Sequence, residues 1–371
     1  MKSKAITTLA TRLLAWHDVH GRHALPWARE RTPYRVWLSE IMLQQTQVAT
    51  VIPYFERFVG RFPGVRELAA ADIDAVLHLW TGLGYYSRAR NLHATAQRVV
   101  AVHAGELPRD LTSLMALPGI GRSTAAAILA QAWDLPHAIL DGNVKRVLAR
   151  YHAIAGYPGE RAVEAELWRL SEQHLPATRL RDYTQALMDL GATLCTRSRP
   201  RCAECPLHID CRARQQGRQQ ALPTRRPQRD TPTRQALYLL IEDSAGAVLL
   251  EQRPAQGLWA GLWSFPELLG EATTPADIAA ALAARGLADA EIRGEFASFT
   301  HAFTHFKLAI RTLYLSVPRR ALVLADSDRR LWFAPDAPAQ IGLSAPVVKL
   351  LADWQRGARD ADLLPLPARR R

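Results

Sequence analysis

Lysine is nearly missing from this chain. Only five occur among 371 residues, at positions 2, 4, 145, 307 and 349, and none lies between Lys4 and Lys145. An amine nucleophile is therefore excluded from that whole stretch. Cysteine is as scarce, with four residues, and no apolar run reaches the roughly 18 residues that a membrane-spanning helix needs. Acidic charge is thin in one place above all: from Val36 to Phe55 the only charged side chain is Glu40. A surface helix normally scatters charges over its wet face, so a lone carboxylate in "SEIMLQQTQV", among three glutamines, calls for another explanation.

Arginine is present in excess. Lys plus Arg number 47 against 35 Asp plus Glu, a formal net charge of +12. Such a balance favours a polyanionic partner, nucleic acid ahead of membrane, because no long basic amphipathic helix is evident. Guanidinium groups suit bidentate phosphate contacts, although compositional bias gives the same skew. The length predicts two to three domains of roughly 100–200 residues each, and 48% hydrophobic residues suffice for sizeable cores. At the N-terminus, Leu9, Leu13, Leu14 and Trp16 repeat with helical spacing and no cleavage site follows, which reads as a first structural helix. An organellar transit peptide is the alternative.

The four cysteines fall together as Cys195, Cys202, Cys205 and Cys211, spaced CX6CX2CX5C. Disulfides are disfavoured in a chain without a secretory signal, and the spacing departs from the paired CX2-4C knuckles of structural zinc. Three thiols within ten residues suit a compact cube, so one [4Fe-4S] cluster per chain is expected. Arg197, Arg199, Arg201, Arg212 and Arg214 surround them. That arrangement favours a structural cluster presenting a basic loop to a phosphate backbone.

Two further motifs lie between. In "LTSLMALPGIGRSTAAAILAQAW", Leu111, Leu114 and Met115 fit the apolar side of a short helix. Pro118, Gly119 and Gly121 break it, and Ser123 is expected to N-cap an alanine-rich helix. Backbone N–H groups at such a hairpin tip make a sequence-independent phosphate site, though a plain αα-corner has the same pattern. In "AILDGNVKRVLARY", Asp141 precedes a helical repeat of Val144, Val147 and Leu148, and N-capping alone would explain it. Any catalytic reading needs a partner carboxylate, and Glu40 is the one already suspect. If "SEIMLQQTQV" is one helix, Glu40, Gln44 and Gln47 line one face while Trp37, Ile41 and Val48 pack.

The charge-poor helix with one Glu, the LPGIG hairpin, "LDGNVKRVL" and CX6CX2CX5C occur in this order in the helix-hairpin-helix DNA glycosylases that carry an iron-sulfur cluster. Within them, "LPWARERTPYRVWLSEIMLQQTQVATVIPYFERF" and "WTGLGYYSRARNLH" resemble the MutY-type adenine DNA glycosylases, over nearly the whole chain. The resemblance implies excision of adenine mispaired with 8-oxoguanine or guanine, with adenine opposite cytosine as a third case, preventing G:C to T:A transversions. It implies Glu40 as the acid that protonates the departing base and Asp141 as the stabiliser or transient nucleophile at the sugar, a division like that of glycoside hydrolysis. It also implies DNA or base contacts for Trp27, Leu43, Gln44, Gln45, Gln47, Leu117, Gly119, Gly121, Ser123 and Asn143. Tyr85 is the expected wedge beside the lesion base. Bifunctional relatives place a Schiff-base lysine in the second hairpin helix. Ser123 occupies that position here, so a monofunctional enzyme is expected.

Residues 212–234, with seven arginines and three prolines, read as a polar, extended linker. Beyond it, "ALYLLIEDSAGAVLLEQRP" predicts two strands around a turn, and "GLWAGLWSFPE" resembles a Nudix-type fold. The acidic continuation of the Nudix box is missing, since residues 275–282 read "PADIAAAL", so pyrophosphatase chemistry is not expected. The domain instead looks like the family's lesion-reading module. In it Phe303, Thr304 and His305 stand where Phe-Ser-His is common, with Thr304 adding a methyl group.

The expected fold is therefore a mainly α N-terminal region, a six-helix domain plus an iron-sulfur helical domain, over residues 1–215. A basic linker over 216–234 and an α/β Nudix-like domain over 235–371 follow. The expected partner is double-stranded DNA bearing A:8-oxoguanine or A:G, bound by a monomer, with replication or repair proteins as candidates for the linker and no membrane. A cytoplasmic, nucleoid-associated location goes with it. Two alternatives stay open at this point: a bifunctional pyrimidine-lesion glycosylase and a DNA-binding protein without chemistry.

Overall fold

The computed structural model describes residues 8–227, 230–269, 274–318, 329–334 and 339–356. Two compact units are formed, and neither is contiguous in sequence: residues 1–70 with 91–228, and residues 71–90 with 229–371. The division thus differs from a simple N-terminal and C-terminal split, because residues 71–90 group with the later half.

The first unit is helical. It contains α1 (Leu9–His20), α2 (Pro26–Arg29), α3 (Pro33–Leu43), α4 (Val48–Arg61), α5 (Val65–Ala70) and the part of α7 (Ser87–Val102) from Asn91 onward. It continues with α8 (Leu111–Met115), α9 (Arg122–Trp133), α10 (Gly142–Tyr151), α11 (Arg161–Gln173), α12 (Leu180–Thr193) and α13 (Arg212–Gln215). Thr32 caps α3 by accepting from the Arg35 N–H, with Pro33 in the first turn where its missing N–H costs nothing. Ala125, Ala126, Ala127 and Ala130 of α9 are all buried, and these small side chains let α3 and α12 pack against it. Leu9 and Leu13 of α1 join Val144, Val147 and Leu148 of α10 and Tyr183, Leu187 and Leu190 of α12 in one core, as their helical spacing predicts.

Part of the expected linker belongs to this unit. Arg150 is buried, and its guanidinium needs acceptors; the carbonyls of Thr196, Arg197 and Leu222 supply them. Leu222 is itself buried, and Thr224 accepts from the Gly156 N–H. Leu222 and Thr224 are therefore anchored to this unit and are not part of an extended linker.

Among the described residues the second unit is built on a seven-stranded sheet of order β3-β2-β1-β6-β5. Its strands are β1 (Thr233–Glu242), β2 (Val248–Gln252), β3 (Trp263–Ser264), β4 (Glu267–Leu269), β5 (Glu291–Ala302), β6 (Lys307–Ser316) and β7 (Arg330–Phe333); β4 pairs with β1 and β7 with β2. Central β1 runs parallel to β6 and is buried along its last seven residues, which explains its continuous apolar run. The predicted turn forms: Asp243 accepts from the Ala245 and Ala247 N–H groups, and Gly246 takes the positive φ of 81°. Helix α14 (Pro275–Ala283) lays Ile278 and Leu282 on Leu239, Leu249 and Leu313. Helix α15 (Ala345–Gln355) buries Val347, Leu350 and Trp354. Residues 71–90 contribute α6 (Ile73–Trp80), whose Asp74 accepts from the Trp263 indole at 3.1 Å, while Tyr86 donates to the Leu343 carbonyl at 2.7 Å.

Candidate active site

In the first unit a cavity of about 790 Å³ opens among α2, α3, α9, α10 and α12, and Glu40 and Asp141 both line it. Glu40 lies in the last turn of α3. The expected single helix through Gln47 does not form. The Gln44 N–H reaches back only to Ile41, Gln45 takes a left-handed φ of 57°, and α4 starts afresh with Gln47 as its N-cap. Gln44 and Gln47 therefore do not lie on one helical face as expected, and Val48 lines the cavity in place of its expected packing role. The break itself turns Leu43, Gln44, Thr46 and Gln47 into the same cavity, and Gln44 donates to Thr124 at 3.3 Å. Gln45 is exposed and points elsewhere than this lining. Trp27 closes one side, nearly buried and edge-on to Phe55.

Asp141 is the N-cap of α10, accepting from the Val144 N–H at 2.8 Å and from the Asn143 side-chain amide at 3.1 Å. Asn143 in turn accepts from Arg146 at 2.7 Å. Gly191 of α12 makes room for this, since a Cβ there would meet Asn143 Cβ at 2.5 Å. Ser123 is not the N-cap of α9; Gly121 holds that position, and the Ser123 hydroxyl accepts from the Leu140 N–H at 2.9 Å.

The two carboxyls are electrostatically unlike. Burial pushes Glu40 up to about 8, the Asp141 charge adds to this, and one side-chain bond from Gln131 opposes it. Burial raises Asp141 as well, but the Val144 N–H, Asn143 and Arg146 all favour its ionised form. Both carboxyls are thus raised by burial, but Asp141 is met by more groups that favour its charge, and Glu40 keeps a proton at neutral pH.

The cavity floor contains polar residues that sequence reasoning missed. Gln131 of α9 donates to Glu40 Oε1 at 3.5 Å and to Gln185 Oε1 at 3.4 Å, and accepts from Arg31 at 3.2 Å. Gln185 donates to Asp189 at 2.7 Å, and buried Asp189 accepts from the Arg22 backbone and guanidinium at 2.8 Å each. The available signal was a single amide inside the apolar run of α9 and a single Asp inside "ALMDLGA".

In the hairpin, Gly119 has φ 77° and packs on Asn91, whereas a Cβ on Gly121 would face open space. Leu117 is buried, so its side chain serves the core and is not available for DNA contact. Met115 is exposed, contrary to its expected packing role, because α8 is a single short turn that buries only Leu114.

In the second unit a cavity of about 400 Å³ is lined by Tyr85, Arg90, Trp259, His301, Phe303 and Thr304, among others. Tyr85 is exposed at φ 48°, with the Arg88 guanidinium over its ring. Residues 303–306 form the β5–β6 hairpin tip, closed by the Phe303 N–H to the Phe306 carbonyl. Phe303 stacks on Phe306 with centroids 4.5 Å apart and also contacts Trp259 and His301, while Thr304 and His305 are exposed. Two carboxylates of this unit are paired with arginines: Glu267 with Arg253, and Glu251 with Arg285 and Arg330.

All four cysteines are free thiols lining one cavity of the first unit. Burial pushes the Cys205 thiol up to about 12 and raises Cys202 and Cys211. Arg150 donates to Cys195 Sγ at 3.3 Å. Among the described residues no three ligating side chains converge on a point suited to one metal ion. Four thiols lining one common space fit the thiolate donor set of an iron-sulfur cluster.

Residues 38–173 match the family of HhH-GPD superfamily base excision DNA repair proteins, and residues 237–353 match the NUDIX domain. The chain is 34% identical over 348 residues to the adenine DNA glycosylase of Buchnera aphidicola subsp. Acyrthosiphon pisum, covering 93% of this chain and 97% of the relative. Against the adenine DNA glycosylase of Homo sapiens it is 33% identical, over 94% of this chain and 74% of the relative. A solved thermostable thymine-DNA glycosylase matches with a TM-score of 0.52 and 26% identity, over 56% of this chain and 95% of that one.

Proposed function

The chain belongs to the adenine DNA glycosylases, which hydrolyse an N-glycosyl bond in base excision repair, and on that premise we propose that its substrate is adenine opposite 8-oxoguanine or guanine. Adenine is a poor leaving group. In this reading it is rotated out of the duplex at a cost of about a few kcal/mol and enters the 790 Å³ cavity. Glu40 delivers its proton to N7 of the base, and Asp141 stays ionised beside the sugar, stabilising the oxocarbenium-like centre or bonding to it transiently. The observation that carries this reading is that two carboxyls line one cavity in unlike surroundings, Asp141 met by the Val144 N–H and the Asn143 amide and Glu40 by one long bond from Gln131. A positioned acid contributes about 10²–10⁴ in rate, and charge stabilisation must supply the rest.

The enzyme is monofunctional in this reading. Lys145 is engaged by Glu164 at 2.6 Å, and among the described residues no lysine lines the cavity to attack the sugar. The Gly121 N-cap of α9 receives a DNA phosphate, a role its unobstructed Cα supports. Cys195, Cys202, Cys205 and Cys211 hold a [4Fe-4S] cluster, which fixes the arginine-rich loop around it for phosphate contact. Tyr85 stacks beside the opposite base, with Phe303, Thr304 and His305 reading the lesion.

Single-turnover assays on duplexes with adenine opposite 8-oxoguanine, guanine and cytosine test the reading. Adenine release from the first two, abolished in Glu40→Gln and Asp141→Asn with DNA binding retained, is the expected result. Unchanged release in either variant, or covalent trapping by borohydride, overturns the corresponding assignment.

A further inference from the structure

Gln131 sits at the centre of a hydrogen-bond chain whose two ends leave no freedom in the middle. At one end the Arg31 guanidinium is donor-only, so the Gln131 atom 3.2 Å from it must be the carbonyl oxygen. At the other end the Asp189 carboxylate is acceptor-only. It is fully buried and fixed by the Arg22 backbone and guanidinium. The Gln185 atom 2.7 Å from it must therefore be the NH₂ group. Both amides are then oriented, and the Gln185 oxygen faces the Gln131 NH₂ at 3.4 Å. The second hydrogen of that NH₂ is directed at Glu40 Oε1, 3.5 Å away. Both contacts are long, as catalytic hydrogen bonds often are before substrate fills a site.

We propose that Gln131 is a positioning residue for Glu40: by donating to Oε1 it restricts the transferable proton to Oε2, and the Arg31 and Asp189 ends keep it from reversing. A protonated carboxyl has one O–H donor and needs its other oxygen to accept. If Gln131 were reversed, its carbonyl would face Oε1 and draw the proton there, away from the base. Restricting the proton to one oxygen removes an unproductive tautomer before adenine arrives, which is a form of preorganisation. The inference rests on the reading of Glu40 as general acid.

The test compares single-turnover adenine release from an A:8-oxoguanine duplex between pH 5 and 9 for the full-length wild type, Gln131→Leu, Arg31→Met and Glu40→Gln. DNA affinity is measured in parallel. Leucine matches the glutamine in size, so it removes the donor with little change of shape. Gln131→Leu is expected to lower the neutral-pH rate about tenfold and to move the alkaline limb to higher pH, because the ionised carboxylate loses a donor, with affinity unchanged. Arg31 is not in the cavity lining, yet Arg31→Met frees the Gln131 amide to turn and should move rate and limb the same way by less. A pure packing role for Gln131 would lower activity without moving the limb and would leave Arg31→Met silent, and either result overturns the proposal. Should Gln131→Leu fail to fold, Arg31→Met alone decides. Wild-type release by Glu40→Gln would sink the general-acid reading, and this inference with it, whereas a silent limb in an enzyme inactivated by Glu40→Gln sinks only the inference.

Discussion

The Ser123 hydroxyl accepts the backbone N–H of Leu140 at 2.9 Å, so the helix that leaves the glycine hairpin is tied to the residue directly before Asp141. The proposed phosphate site and the proposed sugar-side carboxylate are thereby held in one frame. Ser123→Ala leaves a half-buried N–H without this acceptor, at a cost of about 1 kcal/mol. The expected outcome is a few degrees lower melting temperature and a lower single-turnover rate, with DNA affinity nearly unchanged.

The raised Glu40 carboxyl links activity to pH. Below about 8 the folded enzyme keeps the proton and the acid is available; above it the acid is ionised. Adenine release should therefore decline as pH rises through this value, as pH-dependent single-turnover rates will establish.

The same group lowers stability in a defined window. In the unfolded chain the carboxyl titrates near its ordinary value of 4.5, while the folded state holds the proton to about 8. Below 4.5 both states are protonated and folding is unaffected. Between the two values the unfolded chain sheds a proton that the folded one retains, so stability falls with rising pH, and above 8 the full penalty remains. Glu40→Gln, which cannot ionise, should be more stable than wild type at pH 8 by on the order of a few kcal/mol. Denaturant titrations at pH 4.5 and 8 should give no difference at the first and a clear one at the second.

Gly191→Ala would bring a Cβ to 2.5 Å from Asn143 Cβ and 3.1 Å from its Cα, both on the first turn of α10. Neither atom can swing away. A loss of about 1–3 kcal/mol is expected in unfolding measurements. Asn143 would also be pushed from Asp141, and the rate should fall further than the stability does.

Replacing Cys202 or Cys205 by Ser should abolish the visible charge-transfer absorbance of the purified protein and weaken DNA binding. Retained absorbance in both variants would refute the proposed ligand set. Iron and sulfide analysis of the wild type gives an independent count.

Much of the helical unit was legible because its signals are local. Leu9 and Leu13 repeat with the period of a helix face, Asp141 stands where an N-cap belongs, and Pro118 with Gly119 enforces a turn. Local signals failed where tertiary needs prevailed. The charge-poor run "SEIMLQQTQV" gives no sign of the break after Leu43, since turn formation depends on what Gln44 and Gln47 face. Likewise Leu222 and Thr224 look like linker but satisfy the buried Arg150 and the Gly156 backbone.

By itself the sequence determined which chemical groups are present and which are not: one carboxylate in a charge-free segment, a capping aspartate, four clustered thiols and no lysine near the hairpin. Those are properties of composition and spacing, readable without a fold. Only the tertiary structure decided what each group does to the others. Glu40 and Asp141 are about a hundred residues apart in sequence, and they share a cavity in which Asp141 is met by several donors and Glu40 by a single long one. Gln131, Gln185 and Asp189 read as incidental polar residues in apolar helices. They became a hydrogen-bonded chain because α9 and α12 bring them together on the cavity floor, where buried polar groups need partners.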